Sequence, residues 1–434
     1  MSTGEYAVRK ESEVRVCIDA RLGNEQPGGV EQVVIGLASA FSQLDGGSEK
    51  YLFLVDQATR ERLSPYIAGN SSLLQAGGLT WRGYAAHRLR KVPGVRGVHR
   101  ALASHMLFPA LAPSDGTIEA AEVDLVHFVT GAGFKTRVPS LYSNHDLQHV
   151  HLPKLFSANQ RAFRDATYRV LAEQAKKIVV MTQWGARDVA RNLQVPRQKL
   201  AIVPWASMLG VYGPPSDSDI RQVKAQYSLP ADFALYPAQT WPHKNHLELI
   251  NALAELRERD LHIPLVSIGH KNDFYSVVEA RVRQCGIEDN VQFLGYVPTN
   301  HVNALYRLSK CVIFPSLFEG WGLPVCEALS AGVPVACSDL PTLREYAGDA
   351  CQWFDPASPT SIANSLAQVW TDETRRRELV GLGQAVSKVH NWARTARTLR
   401  ALYREAVGAQ LAAADLRLIR ETAVDDDAPK RRIT

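Results

Sequence analysis

Short apolar, β-branched runs alternate with helix-length amphipathic segments along most of this chain, and the pattern plays out twice. In the first half, strand-like runs at 14–18, 51–55, 124–129, 177–181 and 200–203 are separated by helical patterns such as 30–41, 159–175 and 185–193. Parallel strands need long crossovers, and helices supply them, so this alternation predicts a mostly parallel sheet with helices on both faces. The rhythm breaks at 209–219, where Gly213-Pro214-Pro215-Ser216 suits neither element type and reads as an interdomain linker. It restarts with strands at 233–236, 264–268, 291–293, 311–314 and 333–337, and helices at 246–259, 273–284 and 324–330. The 434 residues exceed what one core usually organises. The predicted class is α/β, with two doubly wound Rossmann-like domains facing a cleft, spanning 1–209 and 210–388. Residues 389–410 form a separate C-terminal helical segment. The apolar-poor end predicts a partly disordered tail over 411–434.

Composition narrows the function classes. Apolar residues make up 46% and charged residues 21%, which describes an ordinary globular chain. A formal charge of +5 is too weak to argue for nucleic acid, but suits an anionic small substrate. The six cysteines have no paired spacing, so buried free thiols are expected rather than a zinc site or a disulfide framework. The first residues are charged and lack an apolar signal core, and no apolar run reaches spanning length. A cytoplasmic address is the expectation.

The segment 314–335 carries the chemistry. It reads as strand, glycine loop, helix and strand, with Pro324 fitting the first helical turn and Gly332 lying just past the end. The amides of Gly320, Trp321, Gly322 and Leu323 then sit at a helix N-terminus, where an anion is stabilised. Glu319 lies in the loop at the mouth of that site and Glu327 on the first turns of the helix. A lone glutamate here would read as a surface or capping residue. The whole strand–loop–helix frame makes both carboxylates candidate acceptors for sugar and ribose hydroxyls.

This segment resembles the signature of glycosyltransferase family 4, whose mark is two glutamates separated by seven residues; Glu319 and Glu327 match both. Segments 236–245, 266–269, 291–298 and 338–355 are also similar to that family's donor domain. His145 resembles the histidine of its acceptor domain, and Gly28-Gly29 its first glycine loop. The resemblance implies a GT-B fold and retaining, metal-independent transfer from a nucleotide diphosphate sugar to a glycan, lipid-linked or small-molecule acceptor. It implies that Glu327 binds the donor ribose, that Glu319 holds the sugar, and that Lys244 neutralises the leaving diphosphate, with His145 as the third catalytic candidate. Gly269, Gly295 and Tyr296 join the donor-binding set, with Tyr296 read equally well as a packing residue. In similar proteins a helix like that at 392–407 crosses back to brace the first domain. One departure stands out: Ala238 occupies a position six residues before Lys244 where the family often has arginine. His243, Gln239 or the loop amides must then share the cationic duty. The segments around His145 and Lys244 look like those of bacterial mannosyltransferases for surface polysaccharide, which makes GDP-mannose the first donor to expect.

Other signals point less sharply. Asp217-Ser218-Asp219 has a loose metal-binding look but suits a helix cap, and neither a metal nor a resident cofactor is expected. Residues 81–100 carry six Lys/Arg and no acid. They read as a solvated basic face or as a patch for anionic lipid at the inner membrane surface. Rival functions are a GT-B epimerase, a phosphorylase-like enzyme, and a sugar-nucleotide-binding regulator without catalysis.

Overall fold

The computed structural model describes residues 13–22, 28–77 and 111–425. Its strands form two parallel sheets. The first contains β1 (Arg15–Asp19), β2 (Lys50–Val55), β3 (Ser71–Gln75), β4 (Leu125–Phe128), β5 (Ser140–Ser143), β6 (Lys177–Val180) and β7 (Leu200–Ile202). They lie in the order β3-β2-β1-β4-β5-β6-β7. The second contains β8 (Ala234–Pro237), β9 (Leu265–Ile268), β10 (Val291–Gly295), β11 (Cys311–Phe314), β12 (Val335–Ser338) and β13 (Cys351–Phe354), in the order β10-β9-β8-β11-β12-β13. The central strands β4, β5, β9, β11 and β12 are buried along their length, as expected where helices cover both faces. Strand order reverses between β1 and β4 in one sheet and between β8 and β11 in the other. Ligand crevices form at the carboxyl ends of strands at such switch points.

The linker region is more regular than its composition predicts. Leu209–Tyr212 forms a short helix, and Ser216 caps a second, Asp217–Gln226, through a reciprocal bond pair with Asp219. Only 213–216 remains irregular, because the two prolines and the capping serine sit between two helical turns. The acidic cluster is therefore a capping box. Five of the six cysteines are buried and all six are free.

The helix Trp392–Val407 packs on the helix Gly29–Ser42 of the first sheet. Trp392 Nε1 donates to the Ser207 carbonyl at 3.1 Å, and the Thr395 hydroxyl donates to that of Pro204 at 2.9 Å. The Trp392 ring lies so close to Gly36 that a Cβ there would sit 2.2 Å from it. Further along, Tyr403 meets buried His127 at 2.8 Å, and Arg404 joins Glu49 and Asp415. The segment expected to begin a partly disordered tail instead forms the helix Ala413–Glu421, held by buried Asp415. No helix among the described residues is long and apolar enough to cross a membrane.

Candidate active site

The two loops that follow β8 and β11 lie side by side at the second switch point. After β8, the turn Pro242–Lys244 is locked by Asn245, whose side-chain amide donates to the carbonyls of Pro315 (3.1 Å) and Pro356 (2.8 Å). The Leu317 amide donates to the His243 carbonyl at 2.8 Å, and the Tyr236 hydroxyl donates to that of Lys244. These bonds staple one loop to the other. They carry Lys244 Nζ to 2.5 Å from Glu319 Oε1, with both side chains largely buried. The Thr342 hydroxyl holds the Glu319 carbonyl at 2.8 Å. The structure thus joins two residues 75 positions apart that the sequence singles out separately.

Past Glu319 the chain enters the helix Leu323–Ala331, with Gly322 as N-cap at φ 82°. That left-handed conformation suits glycine and turns the amides of the first turn toward the cleft. Gly332 ends the helix in the same conformation, at φ 71°. Trp321 contributes only its backbone to this loop, because its ring is buried against Tyr346 at 4.2 Å.

Glu327 is 4% exposed and accepts a 2.8 Å bond from the Tyr306 hydroxyl. Burial pushes its carboxyl up to about 7, and the tyrosine opposes that shift. A carboxylate held this way is poised to ionise when further hydroxyl donors reach it.

The first domain closes over these groups. Gly28, in extended conformation, caps the helix Gly29–Ser42, and Gly29 faces Leu323, whose Cδ1 would lie 3.7 Å from a Cβ. Two helix N-termini therefore converge from opposite domains, which with Lys244 makes a positive site without an arginine at Ala238. His145 follows β5; its Nε2 lies 2.6 Å from the Val129 carbonyl and so carries the proton, leaving Nδ1 as an acceptor. Burial depresses its basicity, partly offset by that bond.

His243 does not take up the cationic duty. Burial and neighbouring Lys244 push its imidazole down to about 2, so it is neutral. The Gln239 side-chain carbonyl accepts from Trp241 Nε1 at 2.9 Å. That bond leaves the Gln239 side-chain NH2 as a donor beside Lys244 and the loop amides. At the end of β9, next to β8, the amide of Gly269, itself at φ 126°, donates to the Gly295 carbonyl at 2.8 Å, and a Cβ on Gly269 would sit 2.7 Å from the Ala238 backbone. Next to it Tyr296 stacks on His270 at 4.9 Å and stays half exposed. The basic stretch 81–100 lies outside the described residues.

Sequence reasoning missed several residues at the cleft. His127 lies beneath His145, between the Ser143 hydroxyl (2.9 Å) and the Tyr403 hydroxyl, and burial pushes it down to about 3. Phe318, Trp184, His151 and Glu345 meet across the domain boundary. Phe318 had a local signal in its place directly before Glu319, His151 in the short loop it shares with Asp146 and His149 after His145, and Glu345 in its place within the 338–355 segment.

Comparison with known proteins bears on the family and the fold. Residues 219–384 match the family described as Glycosyl transferases group 1, and residues 27–206 match Glycosyltransferase Family 4. The O-antigen chain mannosyltransferase B of Escherichia coli is 28% identical over 250 residues, covering 57% of this chain and 65% of that protein. The serotype-specific mannosyltransferase WbdA of Escherichia coli is 28% identical over 239 residues, covering 54% and 28%. This chain thus spans only part of the length of either relative. The D-inositol 3-phosphate glycosyltransferase of Corynebacterium efficiens is 26% identical over 355 residues, covering 75% and 82%. Among solved structures, Anabaena HepE in complex with UDP and glucose aligns with a TM-score of 0.67 at 18% identity, covering 91% of this chain and 100% of that one. With both halves matched in order and two Rossmann-like sheets facing one cleft, the chain belongs to the group 1 glycosyltransferases of family 4, which have the GT-B fold.

Proposed function

We propose that this protein is a retaining, metal-independent glycosyltransferase that moves a hexose from a nucleotide diphosphate sugar to a glycan, lipid-linked or small-molecule acceptor. The observation that carries this reading is the Lys244–Glu319 pair, set between two converging helix N-termini and near buried Glu327. Glu327 receives the ribose hydroxyls. The amides of 320–323 and Lys244 take the diphosphate. Glu319, freed from Lys244 as the phosphate arrives, takes the hydroxyls of the sugar.

The bond from the anomeric carbon to the diphosphate oxygen breaks as negative charge builds on the leaving group. The positive loop stabilises that charge, and donors aimed at developing charge often lower the barrier more than any other group in a site. The acceptor hydroxyl forms the new bond on the face the diphosphate leaves, and its proton passes to a phosphate oxygen. No covalent protein intermediate is needed, since the acceptor oxygen replaces the departing diphosphate oxygen directly. Neutral His145 offers Nδ1 to a sugar hydroxyl.

Mannose from GDP-mannose is our first donor, supported by the two Escherichia coli relatives named as mannosyltransferases. HepE, solved with UDP and glucose, makes a UDP-sugar the second arm of the test. The test is a thermal-shift panel of GDP, UDP, ADP and dTDP with their sugars, followed by donor turnover and anomeric assignment of the product by NMR. Stabilisation by one nucleotide family and an α-linked product from an α-linked donor are expected. An inverted product would overturn the retaining mechanism. No stabilisation by any nucleotide sugar would overturn the donor site itself.

A further inference from the structure

We infer that Phe318, Gly320 and Glu345 form an interdomain latch that places Glu319, which makes them positioning residues for the transfer proposed above, on which this inference rests. Glu319 is flanked on both sides by contacts to the opposite domain. The preceding residue, Phe318, is 4% exposed, and its ring stacks on His151 at 4.9 Å with an interplanar angle of 20°. Trp184 closes the clamp edge-on, 5.9 Å from the same ring. His151 is fixed from behind by both oxygens of Asp188, each at 2.9 Å. The clamp is therefore built on acceptor-domain residues, while the wedge belongs to the donor loop.

The following residue, Gly320, lies against His145. A Cβ there would sit 1.8 Å from the His145 carbonyl oxygen, so only glycine permits this docking. Gly320 has no positive φ, and its requirement comes from the other domain. At the rim, the Glu345 carboxylate accepts from the amides of Gln183 and Trp184, the latter at 2.9 Å, at the start of the helix Gln183–Leu193. A carboxylate at that end of a helix is favoured by the exposed amides and the helix dipole. Thr342, one turn before Glu345, holds the Glu319 carbonyl. Opening the domains would withdraw the clamp, the His145 contact and the rim bonds together, and Glu319, though still bonded to Lys244 and Thr342, would lose the contacts that fix the residues on either side of it.

The test uses the full chain in three variants, with donor turnover, calorimetric nucleotide binding and small-angle scattering as readouts. The double variant His151→Ala/Trp184→Ala leaves the donor loop intact, Glu345→Gln removes the rim charge, and Gly320→Ala blocks docking. Each is expected to enlarge the radius of gyration. Turnover number should fall by about tenfold or more, the scale of one lost packed or hydrogen-bonded contact in a two-state equilibrium, while nucleotide affinity changes less than about twofold in the double variant and in Glu345→Gln, whose residues lie outside the phosphate loop. Turnover is counted per calorimetrically competent site, because general loss of folded protein lowers binding stoichiometry and apparent turnover together while leaving affinity unchanged. Unchanged scattering and unchanged turnover number in the double variant would overturn the latch. So would a parallel loss of turnover and nucleotide binding without opening. If wild type turns over no nucleotide sugar, the functional reading fails, and scattering alone still decides whether the latch exists.

Discussion

Replacing Glu327 by glutamine removes a buried titration and leaves the side-chain shape. The carboxyl is raised from 4.5 to about 7 by burial, so the folded protein keeps its proton across a window in which the unfolded chain has released it. Stability from this group is fully present below about 4.5 and is lost as pH rises through about 7. At 1.36 kcal/mol per unit, the total is on the order of 3 kcal/mol, and 4% exposure leaves little solvent screening to discount. Glu327→Gln should therefore match wild type near pH 5 and exceed its unfolding free energy at pH 8 by up to that amount. The Tyr306 hydroxyl can still donate to the amide oxygen.

Ligand binding carries the opposite sign. In the proposed complex ribose hydroxyls donate to the ionised carboxylate, so nucleotide binding should pull the proton off. If binding restores an ordinary carboxyl, wild-type affinity should rise by roughly tenfold between pH 6 and pH 8. The variant should lose that slope and bind more weakly at pH 8, by roughly 1–3 kcal/mol. Titration of the free diphosphate contributes equally to both proteins and cancels in the comparison. Denaturant melts at several pH values and calorimetry with the nucleoside diphosphate measure both effects. Parallel stability profiles for wild type and variant from pH 5 to pH 8 would refute the buried-acid argument, and parallel affinity profiles would remove the ribose assignment.

Four further outcomes are expected. Glu319→Gln should lower turnover by about 100-fold or more, since the pairing with Lys244 and the sugar contact both weaken, with nucleotide diphosphate affinity within a few-fold; near-normal turnover at saturating donor would defeat the role. Gly36→Ala should cost roughly 1–3 kcal/mol in denaturant melts, because a Cβ there meets the Trp392 ring, and a neutral result would mean that the crossing helix shifts freely. Donor turnover should survive EDTA, with Lys244 and the loop amides serving the phosphates; loss on chelation restored by magnesium or manganese contradicts this. The chain should co-sediment with anionic but not neutral vesicles at low salt through 81–100, and lose this when Arg88, Arg90 and Lys91 become glutamine; indifference of wild type to anionic vesicles makes that stretch a plain solvated face.

What could be read in the sequence was whatever one local segment determines. The helix after Glu319 was legible because Pro324 and Gly332 mark its two ends, and the core strands because parallel strands buried on both faces are continuous apolar runs. Two of the four described edge strands, β3 and β13, were not. β3, Ser-Ser-Leu-Leu-Gln, and β13, Cys-Gln-Trp-Phe, mix polar with apolar residues because part of each faces solvent. The tail helix Ala413–Glu421 was hidden for a related reason: its anchor is an acid, Asp415, buried only because Arg404 lies eleven residues away to pair with it.

The candidate site divides along the same line. Glu319, Lys244 and Glu327 each sit in a recognisable local frame, but the 2.5 Å contact between the first two depends on Asn245 stapling one loop to the other. Among the alternatives for the cationic duty, His243 is disfavoured for a reason no sequence carries: burial next to Lys244 depresses the basicity of its ring. Gly320 makes the sharpest case. Its place in the loop argues for glycine because an anion approaches the backbone there, which is a sound local reason. The structure supplies a second one, the carbonyl of His145 pressed against it from a residue 175 positions earlier. The two reasons separate experimentally. An alanine at 320 that only crowds a phosphate should weaken nucleotide binding, whereas one that only blocks docking should leave binding intact and open the domains.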